Sequence, residues 1–136
     1  MIIIGSIFKT SDNSGVRKIL SIGVLNKNCI RLDIGDYIIG SVKKGKITKR
    51  RNNFFGYNNR NFTLKSSILK FFIVKSKKFI LVNTNNSINF CCNSVITLGK
   101  DINLIEGKKV TGIMSFIVKK IFYKSKVNLK NAKFII

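Results

Sequence analysis

The side chains available for chemistry in this sequence are overwhelmingly cationic. Lysine and arginine number 26 against 5 aspartate and glutamate, with no histidine, for a formal net charge of +21. The acids are Asp12, Asp33, Asp36, Asp101 and Glu106. General acid–base catalysis draws on histidines or on carboxylates held in concert, and here candidates are few. Asp33 and Asp36 lie close in sequence, yet a two-metal nuclease needs more carboxylates than these. The three cysteines, Cys29 and the adjacent Cys91 and Cys92, contain no Cys-x-x-Cys pair. Without histidine this argues against a zinc site, and their odd, scattered placement argues against a disulfide framework. They read as reduced thiols acting as small apolar residues. The expectation is a protein without catalytic residues, metal or cofactor.

Positive charge on this scale opposes a compact state unless a polyanion supplies counter-charge. The candidates are nucleic acid, an anionic membrane surface and an acidic protein. Apolar runs such as Phe71-Phe72-Ile73-Val74 and Phe79-Ile80-Leu81-Val82 are of strand length, far short of the roughly twenty residues of a membrane helix. No strongly amphipathic basic helix is evident either. Nucleic acid remains, because each phosphate neutralised by Lys or Arg releases condensed counterions. The densest basic stretch lies between Lys43 and Lys65. Lys43, Lys44, Lys46, Lys49, Arg50 and Arg51 come first, followed by Phe54, Phe55, Tyr57 and Phe62 among Asn52, Asn53, Asn58, Asn59 and Arg60. Arg can grip phosphate as a fork and aromatic rings can stack on unpaired bases, so this segment fits an arm that orders on RNA. A solvated loop stapled to the body by its aromatics is the alternative.

The elements that must position these cations are strands. One hundred and thirty-six residues, 45% of them hydrophobic, suffice for one core, and a single domain over residues 1–136 with an inserted arm at about 43–65 is expected. β-branched and aromatic runs separated by Gly, Asn and Lys clusters predict strands at Ile3–Phe8, Lys18–Leu25, Tyr37–Val42, Ile68–Lys75, Phe79–Val82, Ile88–Phe90 and Ser94–Leu98. Short strands at close spacing suggest an all-β small barrel. Asp12-Asn13-Ser14-Gly15 is a turn by its chemistry, and Asn83-Thr84-Asn85-Asn86 a hairpin tip. After Gly112 the apolar spacing fits a short helix near Ser115–Lys126 about as well as a strand.

Four blocks carry a resemblance to the large-subunit ribosomal protein fourteen family. Ser11-Asp12-Asn13-Ser14-Gly15-Val16-Arg17-Lys18, close to Met1 and leading into Ile19-Leu20-Ser21-Ile22-Gly23-Val24-Leu25, resembles the family's turn and second strand. Ile34-Gly35-Asp36-Tyr37-Ile38-Ile39 resembles its entry to the third strand. Phe72-Ile73-Val74-Lys75-Ser76-Lys77-Lys78 is similar to its Val-Val-Val-Arg-Thr-Lys-Lys run. Phe90, Asn93 and Ser94-Val95-Ile96 then follow in register, with Gly107 and Gly112 at the family's spacing. The sequence departs from the pattern at Thr84-Asn85 in place of Asp-Gly, in the longer 43–65 loop, and after Gly112, where Ile113-Met114-Ser115-Phe116-Ile117 replaces a Pro, Arg and Glu segment.

The resemblance implies a small five-stranded-type β-barrel with a protruding β-ribbon and a short helical C-terminal segment. It implies a structural protein of the large ribosomal subunit that binds rRNA and neighbouring ribosomal proteins. It also implies contact with small-subunit rRNA through an intersubunit bridge and a docking face for a ribosome-silencing factor. On this reading the RNA contacts are Asn13, Ser14, Arg17 and Lys18 at the turn, the cations of the 43–51 run, Lys75, Lys77 and Lys78 at the start of the ribbon, and Lys108 and Lys109. Asp12, Gly15 and Asn93 are structural, because Asp and Asn close turns on backbone N–H groups. Lys18 has a second reading as a charge guarding a strand edge. The rival function is a free single-stranded RNA- or DNA-binding barrel of the oligonucleotide-binding type, which predicts exposed aromatics on one strand face.

Ile, Lys, Asn and Phe dominate, while Pro and Trp are absent and Ala132 is the lone alanine. Such a skew marks a gene under A/T mutation pressure. Met1-Ile2-Ile3-Ile4 is too short for a secretory h-region and lacks import-peptide character. Synthesis inside an organelle is expected, with a mitochondrial ribosome preferred over a plastid one or an A/T-rich bacterial cytoplasm.

Overall fold

Strict alternation of burial along Tyr37–Val42, with Ile38, Gly40 and Val42 inward, is what a half-buried antiparallel strand requires. The computed structural model describes residues 2–25, 27–48, 62–63, 65–77, 80–83, 86–99, 109–122 and 132–135. Its strands are β1 (Ile2–Ile3), β2 (Ile7–Thr10), β3 (Val16–Val24), β4 (Arg31–Leu32), β5 (Tyr37–Gly45), β6 (Ile47–Thr48), β7 (Phe62–Thr63) and β8 (Ile68–Lys75). There follow β9 (Ile80–Asn83), β10 (Asn86–Ile88), β11 (Ser94–Thr97), β12 (Gly112–Ser115), the helix α1 (Phe116–Phe122) and β13 (Ala132–Ile135).

Five strands close into a barrel in the order β11-β2-β3-β5-β8. β11 runs parallel to β2, and the other pairings within the barrel are antiparallel. Phe8, Ile19, Ile38, Val42, Phe71, Ile73 and Val95 fill the interior with no exposed surface. Each such side chain stabilises the fold by about 1.5–3 kcal/mol on leaving water. A second core lies against the barrel wall, where Phe72, Val74, Ile96 and Leu98 meet Val110, Met114 and Val118. β8 and β11 are therefore buried on both faces, which accounts for the unbroken apolar runs in their sequences. Tyr37 stands edge-on to Phe72, with ring centroids 5.0 Å apart, and burial raises its phenol pKa above the usual value.

The small all-β barrel, with one short helix among the described residues, matches the expectation, while several boundaries differ. Ile3–Phe8 is two strands, because Gly5 takes a left-handed backbone (φ 89) and turns the chain from β1, paired with β4, into β2. The strand expected at Ile88–Phe90 is Asn86–Ile88, pairing with β9 as a sheet of its own, and Phe90 lies beyond it, 9% exposed. β5 runs on to Gly45 because its pairing with β3 continues past Val42. Within the 43–65 segment, β6 and β7 pair antiparallel at the base; residues 49–61, with Phe54, Phe55 and Tyr57, lie outside the described residues. The helix begins at Phe116 rather than Ser115. The residues before it form β12, which pairs in parallel with β13 across the helix.

Asp36, 6% exposed, accepts the Asp33 N–H at 2.8 Å and is met by the Lys27 ammonium at 2.5 Å. The Lys27 hydrogen bond, followed by the charge of Asp36, raises the pKa of Lys27. The pair of acids that stood close in sequence thus closes the turn entering β5.

Candidate nucleic-acid interface

The turn joining β2 to β3 is assembled around one carboxylate. Asp12 Oδ1 accepts the Ser14 N–H at 3.1 Å and the Ser14 hydroxyl at 2.6 Å, and its Oδ2 accepts the Thr97 N–H of β11 at 2.5 Å. Ser14 is 2% exposed, and its hydroxyl also meets Thr97 Oγ1 at 3.0 Å. Although a candidate RNA contact on sequence, Ser14 is occupied within the protein. Gly15 takes the positive φ (95) that the turn requires, and its carbonyl accepts the Lys46 N–H at 2.8 Å. Asn13 is exposed, with its Oδ1 accepting the Lys109 N–H at 3.1 Å while its own N–H donates to the Lys109 carbonyl at 3.2 Å. The turn is thereby held from three sides, by β11, by the 109–111 segment and by the end of β5.

From this clamped turn the register of β2, β3 and β5 follows. Lys9 lies opposite Lys18, and Lys18 opposite Lys44, so three lysines occupy one row across three strands. The neighbouring row is Phe8, Ile19 and Val42, all with no exposed surface. Register shifts flank the row. Two residues of β3 answer one of β5 between Val16 and Lys18, and two of β5 answer one of β3 between Lys18 and Ile19. Arg17 and Lys43 are the extra residues. A bulge breaks the in–out alternation of a strand, and here it lets Arg17 and Lys18, and again Lys43 and Lys44, all face solvent. β3 is paired on both sides, so Lys18 is not on a strand edge.

An open groove of about 490 Å³ runs over this surface, with Lys9, Arg17, Lys18, Lys44 and Lys46 among its walls beside Thr10, Asp12 and Asn13. Asp12 supplies its carboxylate to the turn, so the groove presents mostly cations. Lys9 was not among the sequence candidates, although the signal existed. Lys9 and Lys18 are equidistant from the Asn13–Ser14 bond, so reading the turn as a hairpin would have paired them.

The remaining candidates lie elsewhere or are not described. Lys75 is half-buried on β8, with its ammonium 3.3 Å from where a side chain on Gly112 would begin. Lys77 is exposed, and its N–H donates to Asn93 Oδ1 at 2.8 Å, while the Asn93 carbonyl accepts the Lys9 N–H at 3.1 Å. Asn93 therefore braces backbone on two sides. Lys109 is exposed next to Asn13. Lys49, Arg50, Arg51, Lys78 and Lys108 lie outside the described residues. Among the described residues no three His, Cys, Asp or Glu side chains gather as a metal site would require.

The family model described as Ribosomal protein L14p/L23e matches residues 1–133. A relative from Eimeria tenella, Large ribosomal subunit protein uL14c, is 32% identical over 121 residues, covering 89% of this chain and 90% of its own length. A closed five-strand barrel, the clamped turn between its second and third strands and a match along nearly the whole chain lead to one conclusion: the protein belongs to the ribosomal protein L14p/L23e family.

Proposed function

We propose that the chain is a structural constituent of the large ribosomal subunit that binds rRNA through the face bearing Lys9, Asn13, Arg17, Lys18, Lys43, Lys44 and Lys46. The observation that carries this reading is the row of lysines opposite one another in β2, β3 and β5, flanked by two bulges that turn further cations outward. Its action is positional. A rigid barrel holds cations where folded RNA crowds its phosphates, lowering the repulsion against that fold and releasing counterions. Recognition is of backbone and shape rather than base edges. Lys75, Lys77, Lys109 and the basic arm extend the contact surface. Contacts with neighbouring ribosomal proteins, an intersubunit bridge to small-subunit rRNA and a docking face for a silencing factor belong to the same proposal, on the strength of the family resemblance.

The chain's ribosome is that of an organelle. The mitochondrial preference rests on how far the sequence departs from bacterial form, whereas the plastid-type relative uL14c supports the plastid alternative. A free single-strand binder is the competing reading. It calls for a stacking platform; Phe8, Phe71, Phe72 and Phe90 are all buried, so that platform would have to be supplied by the aromatics of the arm, of which Phe54, Phe55 and Tyr57 lie outside the described residues.

Gradient fractionation of a native lysate at low salt separates the two. A ribosomal constituent travels with the large subunit in near-stoichiometric amount; a free binder stays near the top or spreads across RNA, and that distribution would end the proposal. Replacing Arg17 and Lys18 together with alanine is expected to lower occupancy in the large subunit. The same change is expected to reduce the salt dependence of rRNA binding by about one unit of slope for each phosphate the variant no longer neutralises.

A further inference from the structure

Like charges placed directly opposite in neighbouring strands weaken their pairing unless counter-charge lies across them. Lys9, Lys18 and Lys44 do this twice over, in three consecutive exposed positions. Strand spacing of about 4.8 Å makes the row roughly 10 Å long, perpendicular to the strands. Nor can the row escape by slipping. A shift of one residue would carry lysines into the barrel and Phe8, Ile19 or Val42 out of it. The register is locked by the core, and the carboxylate that lines the groove is engaged by Ser14 and Thr97. The repulsion is thus built in and left for an external anion to relieve.

We infer that the row holds consecutive phosphates of a single RNA strand that crosses β2, β3 and β5 rather than running along them, and that filling it stabilises the barrel itself. The inference rests on the RNA-binding reading above and adds the direction of the strand and a thermodynamic consequence. An isolated anion neutralises one ammonium and leaves the others opposed. A chain of linked phosphates reaches from one lysine to the next and relieves both contacts. A ligand that binds only the folded form raises its stability by mass action, and here it also removes a strain intrinsic to the sheet. Arg17 and Lys43, displaced by the bulges on either side of Lys18, offer further donors to the same strand.

The test is thermal unfolding of the full chain at one fixed ionic strength with orthophosphate, tripolyphosphate or single-stranded oligouridylate. Tripolyphosphate and oligouridylate are each expected to raise Tm by about 4 °C or more above orthophosphate. K18Q, which breaks the row at its centre, is expected to raise the Tm of the ligand-free protein and to abolish the advantage of tripolyphosphate. R31Q removes one positive charge at an exposed position off the row, on β4, and is expected to keep that advantage. Equal Tm in orthophosphate and tripolyphosphate would overturn the inference, as would K18Q keeping the difference or gaining nothing when ligand-free. A gain with tripolyphosphate and none with oligouridylate would overturn the assignment to RNA. Co-sedimentation of the wild-type chain with the large subunit is read in parallel. If it holds while the thermal differences vanish, the row is wrong and the ribosomal role stands; if it fails while they persist, the reverse is true.

Discussion

Asp12 illustrates how one side chain can fix the course of a whole surface turn. Its carboxylate accepts three hydrogen bonds, two from Ser14 and one from the Thr97 N–H, and so ties the β2–β3 turn to β11. Ser14 and Thr97 are 2% and 0% exposed, so neither finds water as a substitute partner if the carboxylate is removed. Asp12→Ala is therefore expected to destabilise the protein by about 3 kcal/mol, since each buried donor left without a partner costs about 1–3 kcal/mol. Asp12→Asn keeps one acceptor oxygen and is expected to lose less. Denaturant midpoints for the two variants provide the check, and an unchanged midpoint in Asp12→Ala would show that the turn stands without its carboxylate. The role of Asp12 in the turn was legible in the sequence, because Asp-Asn-Ser-Gly has local chemistry. That Ser14 is turned inward was not, because Thr97 lies eighty-three residues away along the chain.

At the scale of the element, what could be read depended on whether the cause was local. The β-branched runs of β3, β5, β8 and β11 were visible because alternation and doubly apolar stretches report burial directly. The bulges at Arg17 and Lys43 were not, since a bulge is a relation between two strands and neither shows it alone. The parallel pairing of β12 with β13 was hidden for a similar reason: its partners are separated by a helix, and the apolar residues before Phe116 serve either structure. Gly40 is a case where an element's composition reflects its neighbours. It sits in β5 between β3 and β8, and a Cβ there would stand 2.9 Å from Ile19 Cδ1, 3.0 Å from the Leu20 carbonyl oxygen and 3.2 Å from Phe71 Cε2. The carbonyl belongs to the paired backbone and cannot swing aside. Gly40→Ala is expected to cost about 1–3 kcal/mol by overpacking. At Gly23, also within β3–β5 pairing, an added Cβ meets nothing within 4 Å. Gly23→Ala is expected to leave stability within about 1 kcal/mol of wild type. Paired melting curves of the two variants measure the contrast, and equal losses would contradict the close approach of strands at Gly40.

For the molecule as a whole, the governing fact is a charge of +21 on 136 residues. Such a chain repels itself when folded, and added salt screens that repulsion over a Debye length of about 10 Å at 0.1 M. The same salt competes with the counterion release that drives binding to a polyanion. One charge distribution therefore predicts two opposite responses. The free protein is expected to become more stable as salt rises from about 50 to about 200 mM, while its affinity for rRNA falls by orders of magnitude if six or more phosphates are contacted. Melting temperatures of the free chain and binding isotherms on the rRNA, taken over the same salt series, read the two slopes side by side. Stability that falls with salt would mean that attractive pairs such as Lys27–Asp36 outweigh the repulsion, against the excess of 26 cations over 5 acids. Affinity indifferent to salt would mean that binding does not run through phosphates, leaving the lysine row without its ligand. Opposed slopes, with the binding slope reduced in K18Q and the folding slope flattened in the same variant, would tie both responses to one place on the barrel.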